Sequence, residues 1–317
     1  MPHNNDLLLA LAACPALEKL MLSLHTDGDD DESALPVAAF PCPSFTALRE
    51  LACLSTTPSP VQAILASGFP GGLGRRPMSR IETTLPIRTL EELATLLDAV
   101  HDYCDHRALE TFYLHMLTHG APVVLSRTAL APLAAFRSLV EITLAGIQTL
   151  ALDDGDWEEV AGWWPRLAVF EINPYAKSRC PLSTLASFAR HCPRLTSLQL
   201  PIDARVVRRI EEDDGVEEDG IGHYVDSPEM RLEPDLSIDV GDAPIVDSSG
   251  ISEYLIAVFP NIVAVHFGVR DLDEEGFRIP LAQQDYTREQ WQERAKTMSK
   301  WANIYRQAGE YYRQTGQ

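Results

Sequence analysis

One short unit recurs along this chain of 317 residues and constrains its fold more than any other feature. In Cys192-Pro193-Arg194-Leu195-Thr196-Ser197-Leu198-Gln199-Leu200, a proline is followed by a run with apolar residues at its first, fourth and sixth positions. The arrangement returns from Cys14-Pro15-Ala16-Leu17, Trp164-Pro165-Arg166-Leu167 and Phe259-Pro260-Asn261-Ile262, and looser copies begin at Leu48, Leu109 and Leu139. Two degenerate copies are read at Ile81, where Thr84 and Pro86 replace the later apolar residues, and near Glu233 to Ile238. Successive starts then lie 28 to 38 residues apart. Proline cannot continue a helix and drives the residue before it towards an extended conformation, so each unit reads as a helix end, a stop and a short strand. Strand, helix, strand in that order requires parallel pairing with right-handed crossovers. Stacked copies bury a core that no single copy could bury.

Helical signals fill the intervals. Ser59-Pro60 opens Val61 to Ser67, with Gly68 placed to end it, and Thr89-Leu90-Glu91-Glu92 forms a capping box ahead of Leu93, Leu96, Leu97 and Val100. Ser183 precedes Leu185, Phe188 and Ala189, and Ser249 or Ser252 precedes Tyr254 to Phe259. The position three before the first strand residue holds Cys14, Phe45, Phe136, Trp164 or Cys192, so a buried apolar group is expected there. Free cysteine behaves as a small hydrophobe, and the six cysteines, scattered without tight pairing, are read as reduced core residues of an intracellular protein, cytoplasmic or nuclear.

A 45% hydrophobic content leaves ample material for a core. The formal charge of −20 argues against nucleic acid or an anionic membrane as the main ligand, since both need a basic footprint. No run of about 18 apolar residues is present, and the first six residues lack the basic region of a secretory signal. Two acidic inserts, within residues 26–36 and 211–230, lack apolar periodicity and are expected to be solvated loops; residues 68–77 read as a third loop. Beyond residue 280, Thr287-Arg288-Glu289-Gln290 caps a helix whose apolar stripe runs through Trp291, Ala295, Met298, Ala302, Tyr305 and Tyr312. Its expected task is to cover the end of the repeat array or to dock a partner.

A period near thirty with Leu-x-x-Leu-x-Leu marks a leucine-rich repeat. The expected fold is an α/β solenoid over residues 1–280, with the parallel sheet concave and the helices convex, followed by the 281–317 helix. The units WPRLAVFEI (164–172), CPRLTSLQL (192–200) and FPNIVAVHF (259–267) resemble the repeat portion of fungal F-box/leucine-rich-repeat proteins over roughly residues 5–275. The resemblance implies that the repeats recognise a protein substrate and that an F-box delivers it to a cullin-based ubiquitin ligase. No F-box is visible ahead of the repeats, so an adaptor role in a ligase is expected only if that module is supplied elsewhere; a truncated product without retained function is the remaining option. The Asn or Cys expected eight residues after the first leucine is also missing, those positions being His25, Thr56, Leu117, Ile147, Tyr175, Asp203 and Arg270. Each turn after a strand must therefore be stabilised in another way.

No cofactor is expected. Asp27-x-Asp29-x-Asp31 begins like an EF-hand loop but carries Glu32 and Ala38 where Gly and Glu are required. The glycines at 68, 71, 72 and 74 lack the Lys-Ser/Thr of a phosphate cradle, and no Gly-x-Ser-x-Gly is present. His115 with His119, and His101 with Cys104 and His106, are the nearest approaches to metal-ligand spacing. A metal-dependent hydrolase built on His and acidic residues is therefore the competing class to a non-enzymatic binding protein. Binding is expected on the open sheet face, where alternate strand residues point outward. Those residues are Lys19, Met21, Glu50, Thr111, Tyr113, His115, Glu141, Thr143, Val169, Glu171, Asn173, Ser197, Gln199, Ala264 and His266. Tyr113, His115, Glu141, Glu171, Asn173 and Gln199 form the expected site for a protein partner, combining aromatic, imidazole, carboxylate and amide groups.

Overall fold

The computed structural model describes residues 4–24, 44–55, 57–67, 74–117, 123–174, 176, 179–205, 235–241, 243–259, 262–266, 296–297, 299–304 and 306–307. The acidic inserts, Gly68, His119 and all of residues 281–295 and 308–317 lie outside the described residues. Two compact units divide the chain, Met1–Ala151 and Leu152–Gln317.

In the first unit, α1 (Asn4–Ala12) precedes strands β1 (Lys19–Leu24) and β2 (Glu50–Ser55), helix α2 (Ser59–Ala66), β3 (Arg80–Leu85) and helix α3 (Leu90–Tyr103). Strand β4 (Thr111–Met116), the short β5 (Val124–Ser126), helix α4 (Arg127–Leu130) with a 3-10 turn over Ala131–Ala135, β6 (Glu141–Ala145) and β7 (Thr149–Ala151) complete it. Strands β1, β2, β3, β4 and β6 pair in that order, all parallel. Strands β5 and β7 pair separately. Each main strand buries its fourth and sixth positions, as in Leu51 and Cys53, Phe112 and Leu114, and Ile142 and Leu144. The first position is buried as well at Leu48, Leu109 and Leu139. Together they meet the inward residues of the helices, such as Val61 and Ile64 of α2 and Leu93, Leu96 and Val100 of α3. Each such side chain removed from water contributes roughly 1.5–3 kcal/mol, which is what orients every unit the same way round.

In the second unit, α5 (Asp154–Trp163), β8 (Val169–Ile172), β9 (Cys180–Pro181), α6 (Thr184–His191), β10 (Ser197–Gln199), β11 (Ile202–Asp203), β12 (Leu236–Asp239), α7 (Ser248–Val258) and β13 (Ile262–His266) follow one another. Strands β8, β10, β12 and β13 pair in parallel, and β9 pairs with β11. The core is aromatic: Phe170 packs on Phe188 with ring centroids 4.8 Å apart, and Trp164 and Trp157 lie 6.0 and 6.4 Å from Phe170.

The proline motif folds as one repeated turn. The N–H of Leu17, Leu48, Leu139, Leu167, Leu195 and Ile262 donates to the carbonyl three residues earlier, at 3.0–3.3 Å. Where proline is present (Pro15, Pro165, Pro193) it takes the second place of that turn, where its fixed φ is suited. Phe136, Trp164, Cys192 and Phe259 are fully buried at the turn's start, but Cys14 is exposed, correcting its assignment to the core. Near the start of the described chain Leu17 is itself half-exposed, and the described residues leave the thiol open to solvent.

Three further expectations are corrected. Ile81 is in register with Leu51 and Phe112, so it occupies the fourth position and Met78 the first. First positions Leu17, Leu48, Met78, Leu109 and Leu139 are then 31, 30, 31 and 30 residues apart. A threonine at the sixth position hid this copy: Thr83 is buried, and its hydroxyl donates to the Tyr113 carbonyl at 3.5 Å. Helix α7 is capped by Asp247, whose carboxylate accepts from the N–H groups of Ser249 and Gly250, while Ser252 lies inside the helix and donates to the Ser248 carbonyl. Among the described residues of the C-terminal helix, Trp301 and Ile304 are buried and Ala302, expected in the apolar stripe, is exposed; Trp291, Ala295, Met298, Tyr305 and Tyr312 lie outside the described residues. The Trp301 indole donates to the Ala243 carbonyl at 3.0 Å and the Lys300 amino group to that of Ile245 at 2.9 Å, fixing residues 299–304 to the segment before α7.

The turns beyond the strands, lacking the consensus Asn or Cys, use several devices. Ser55 accepts from the Thr57 N–H, Asp203 from that of Arg205, and Asp239 from that of Gly241. Gly146 adopts φ +81°, where a Cβ would sit 2.0 Å from the Met116 carbonyl oxygen. Only glycine fits.

Candidate functional site

Parallel pairing in register turns the outward strand positions into rows. In the first unit, one row runs Lys19, Glu50, Arg80, Thr111, Glu141 and the next Met21, Ala52, Glu82, Tyr113, Thr143. A third runs Ser23, Leu54, Thr84, His115, Ala145. Tyr113 and His115 thus share one strand, with Glu141 on the next strand opposite Thr111. All three are half-buried. Thr143, expected outward, is only 8% exposed, which corrects its place on the open face. Four charged residues of this face pair within it: Lys19 meets Glu50 at 2.7 Å, and Arg80 binds Glu82. His115 stands between Thr84 and Ala145, and burial lowers its pKa below the ordinary imidazole value. It is therefore a neutral donor and acceptor at pH 7.

In the second unit, Val169, Ser197, Ser237 and Ala264 form one row and Glu171, Gln199, Asp239 and His266 the next. Glu171 and Gln199 are direct cross-strand neighbours, and Asn173 follows immediately after β8. Asp239, like Arg80, Glu82 and Ser237, is an outward residue absent from the expected face. In the pairing of β12 with β13 the irregularity lies on β13, where Val263 is the extra residue between Ile262, opposite Leu236, and Ala264, opposite Ser237. The signal available was Leu236 followed by Ile238 and Val240, all buried.

Away from these faces, the His101, Cys104 and His106 trio has a different use. His106 receives a hydrogen bond at Nδ1 from Arg75 (2.7 Å) and donates from Nε2 to the His101 carbonyl (2.9 Å). Cys104 is buried, and its thiol is pushed up to about 12 by that burial, against the pull of Arg76 and Arg75. A metal needs a deprotonated thiolate and a free imidazole lone pair. Among the described residues, no group of three or more His, Cys, Asp or Glu side chains could hold a metal ion. Burial also pushes Cys53 and Cys192 up to about 12.

Two charged groups with chemistry-bearing neighbours are structural ties. Glu158 of α5 accepts from Arg190 and, at 2.7 Å, from His191, both on α6. Burial alone would raise its pKa, but the bonds from His191 and Ser187 and the charge of Arg190 bring it below the ordinary carboxylate value. Arg76, 2% exposed, lies in the stretch read as a plain loop. Its guanidinium donates to the carbonyls of Leu65 (3.1 Å), Phe45 (2.6 Å) and Ser44 (2.8 Å) and to the Ser67 hydroxyl (3.1 Å). It so holds the C-terminal end of α2, where the helix dipole favours a cation, and secures Phe45 at φ 53°, a strained value for a non-glycine residue.

No family model matches the chain, and no curated protein matches it. No helix among the described residues is long and apolar enough to cross a membrane.

Proposed function

We propose that the chain is a leucine-rich-repeat protein without enzymatic activity that binds a protein partner through its outward sheet residues. Tyr113, His115 and Glu141 serve in the first unit, and Glu171, Asn173 and Gln199 in the second. The observation that carries this reading is the register: in the first unit Tyr113 and His115 stand in adjacent rows with Glu141 on the next strand, and in the second Glu171 and Gln199 stand side by side on strands about 4.8 Å apart. Such rows supply anchors for side chains of a partner, with aromatic groups contributing most of the energy. The likeness of the repeats to those of F-box/leucine-rich-repeat proteins supports substrate recognition as the form the binding takes. A ligase-adaptor role follows only where an F-box is joined to it.

The test is affinity capture with the intact protein and with Tyr113→Ala and Glu171→Ala variants, each checked for an unchanged thermal midpoint. Specific partners should be lost or weakened at least tenfold in one or both variants, about 1.4 kcal/mol of binding energy. Equal recovery by well-folded variants rejects the assigned face.

A further inference from the structure

We propose that the Arg75–His106 contact is a pH-sensitive joint, closed while the His106 imidazole is neutral and opened when it takes up a second proton. The hydrogen-bond geometry dictates this. A guanidinium only donates, so the Arg75 Nη1 bond at 2.7 Å requires a lone pair on His106 Nδ1. A carbonyl only accepts, so the 2.9 Å contact to the His101 oxygen requires the proton on Nε2. Both bonds together specify the neutral ring in its Nε2–H form. A proton added at Nδ1 removes the acceptor and leaves two cations face to face.

The surroundings oppose that proton. His101 on α3 stacks against the ring with centroids 4.7 Å apart and is itself bonded to Asp102; Phe136, at the end of the 3-10 turn, contributes an uncharged ring at 4.8 Å. Asp105, in the same turn as His106, is a carboxylate whose field favours protonation. Burial first, and then the charges of Arg75 and His101, hold the His106 pKa below 6.5 despite Asp105 and the His101 carbonyl. With the folded value depressed, the joint's contribution is complete above pH 6.5 and is lost as pH falls through the folded value.

The joint has a defined neighbourhood to report its state. The Arg76 N–H donates to the Tyr103 carbonyl at 2.7 Å, and the Asp105 N–H donates to that of Arg76 at 2.6 Å. These two bonds tie the strand leading into β3 to the turn after α3, directly beside the Arg75–His106 contact. Opening the contact should loosen them.

The experiment is site-resolved amide hydrogen exchange with nitrogen-detected histidine titration on the full chain. The wild type should show the Nε2–H tautomer of His106 at pH 7.5 and a several-fold loss of protection at the Arg76 and Asp105 amides by pH 5.5. In His106→Gln, protection at those amides should be flat over the same range. Arg75→Met should raise the His106 midpoint towards 6.5, a readout that stands even if His106→Gln does not fold. An Nδ1–H tautomer, a protection loss that persists in His106→Gln, or a midpoint unmoved by Arg75→Met overturns the proposal.

Discussion

Leu198 and Gln199 are neighbours in β10, yet Leu198 is fully buried and Gln199 stands half-exposed in an outward row. Leu198→Asp buries a carboxylate with no partner, which costs about 4 kcal/mol and should leave the second unit unfolded by circular dichroism. Gln199→Asp should shift the thermal midpoint by no more than a few degrees. The contrast was legible in the sequence, because a period of two leaves no choice about which neighbour goes in. Arg76 was not. A guanidinium in a glycine-rich stretch reads as solvated until its acceptors, the Ser44, Phe45 and Leu65 carbonyls, are brought to it by the fold. Arg76→Met strands those carbonyls in a dry site and should lower stability by about 3 kcal/mol in urea unfolding, while Arg75→Met, with an exposed side chain, should leave it nearly unchanged.

At the level of the element, helix and strand existence followed from punctuation, and the ends of elements followed from local chemistry that the pattern could only narrow. Thr89 caps α3 as its spacing from Glu92 predicts, its side chain accepting from the Glu92 N–H at 3.1 Å; the Glu92 carboxylate reaches the Arg88 N–H one residue further back. For α7 the pattern offered Ser249 or Ser252, but Asp247 caps the helix, its carboxylate reaching two orphan N–H groups at once. Asp247→Ala should cost about 1 kcal/mol, measured as a shift in chemical-denaturation midpoint. Gly146, after β6, has a stronger constraint than any cap. Gly146→Ala combines a left-handed φ with a clash against the Met116 backbone and should cost about 2 kcal/mol or more, read as a lower thermal midpoint.

Across the molecule, three groups whose pKa values folding lowers, His115, His106 and Glu158, push stability the same way as pH falls from 7. His115 and His106 have depressed values, so their contribution is complete above pH 6.5 and declines as pH falls below it. Glu158, also depressed, contributes fully above pH 4.5 and is lost only on further acidification. The thermal midpoint should therefore fall in two stages between pH 7 and pH 3, the upper one reduced in His115→Gln and the lower one in Glu158→Gln. A midpoint constant from pH 7 to 5 would contradict the first stage. By itself, the sequence determined that strands and helices recur, that the strands run parallel and, in the copies with leucines at the first and fourth positions, which residues face inward, because those are consequences of periodicities of two and of 3.6 acting on apolar side chains. The register of β3 with Met78 at its first position, the burial of Thr143, the seat of Arg76 and the burial of Trp301 were decided only in three dimensions. Each depends on hydrogen-bond acceptors or packing surfaces supplied by residues far away along the chain, and local pattern carries no information about those.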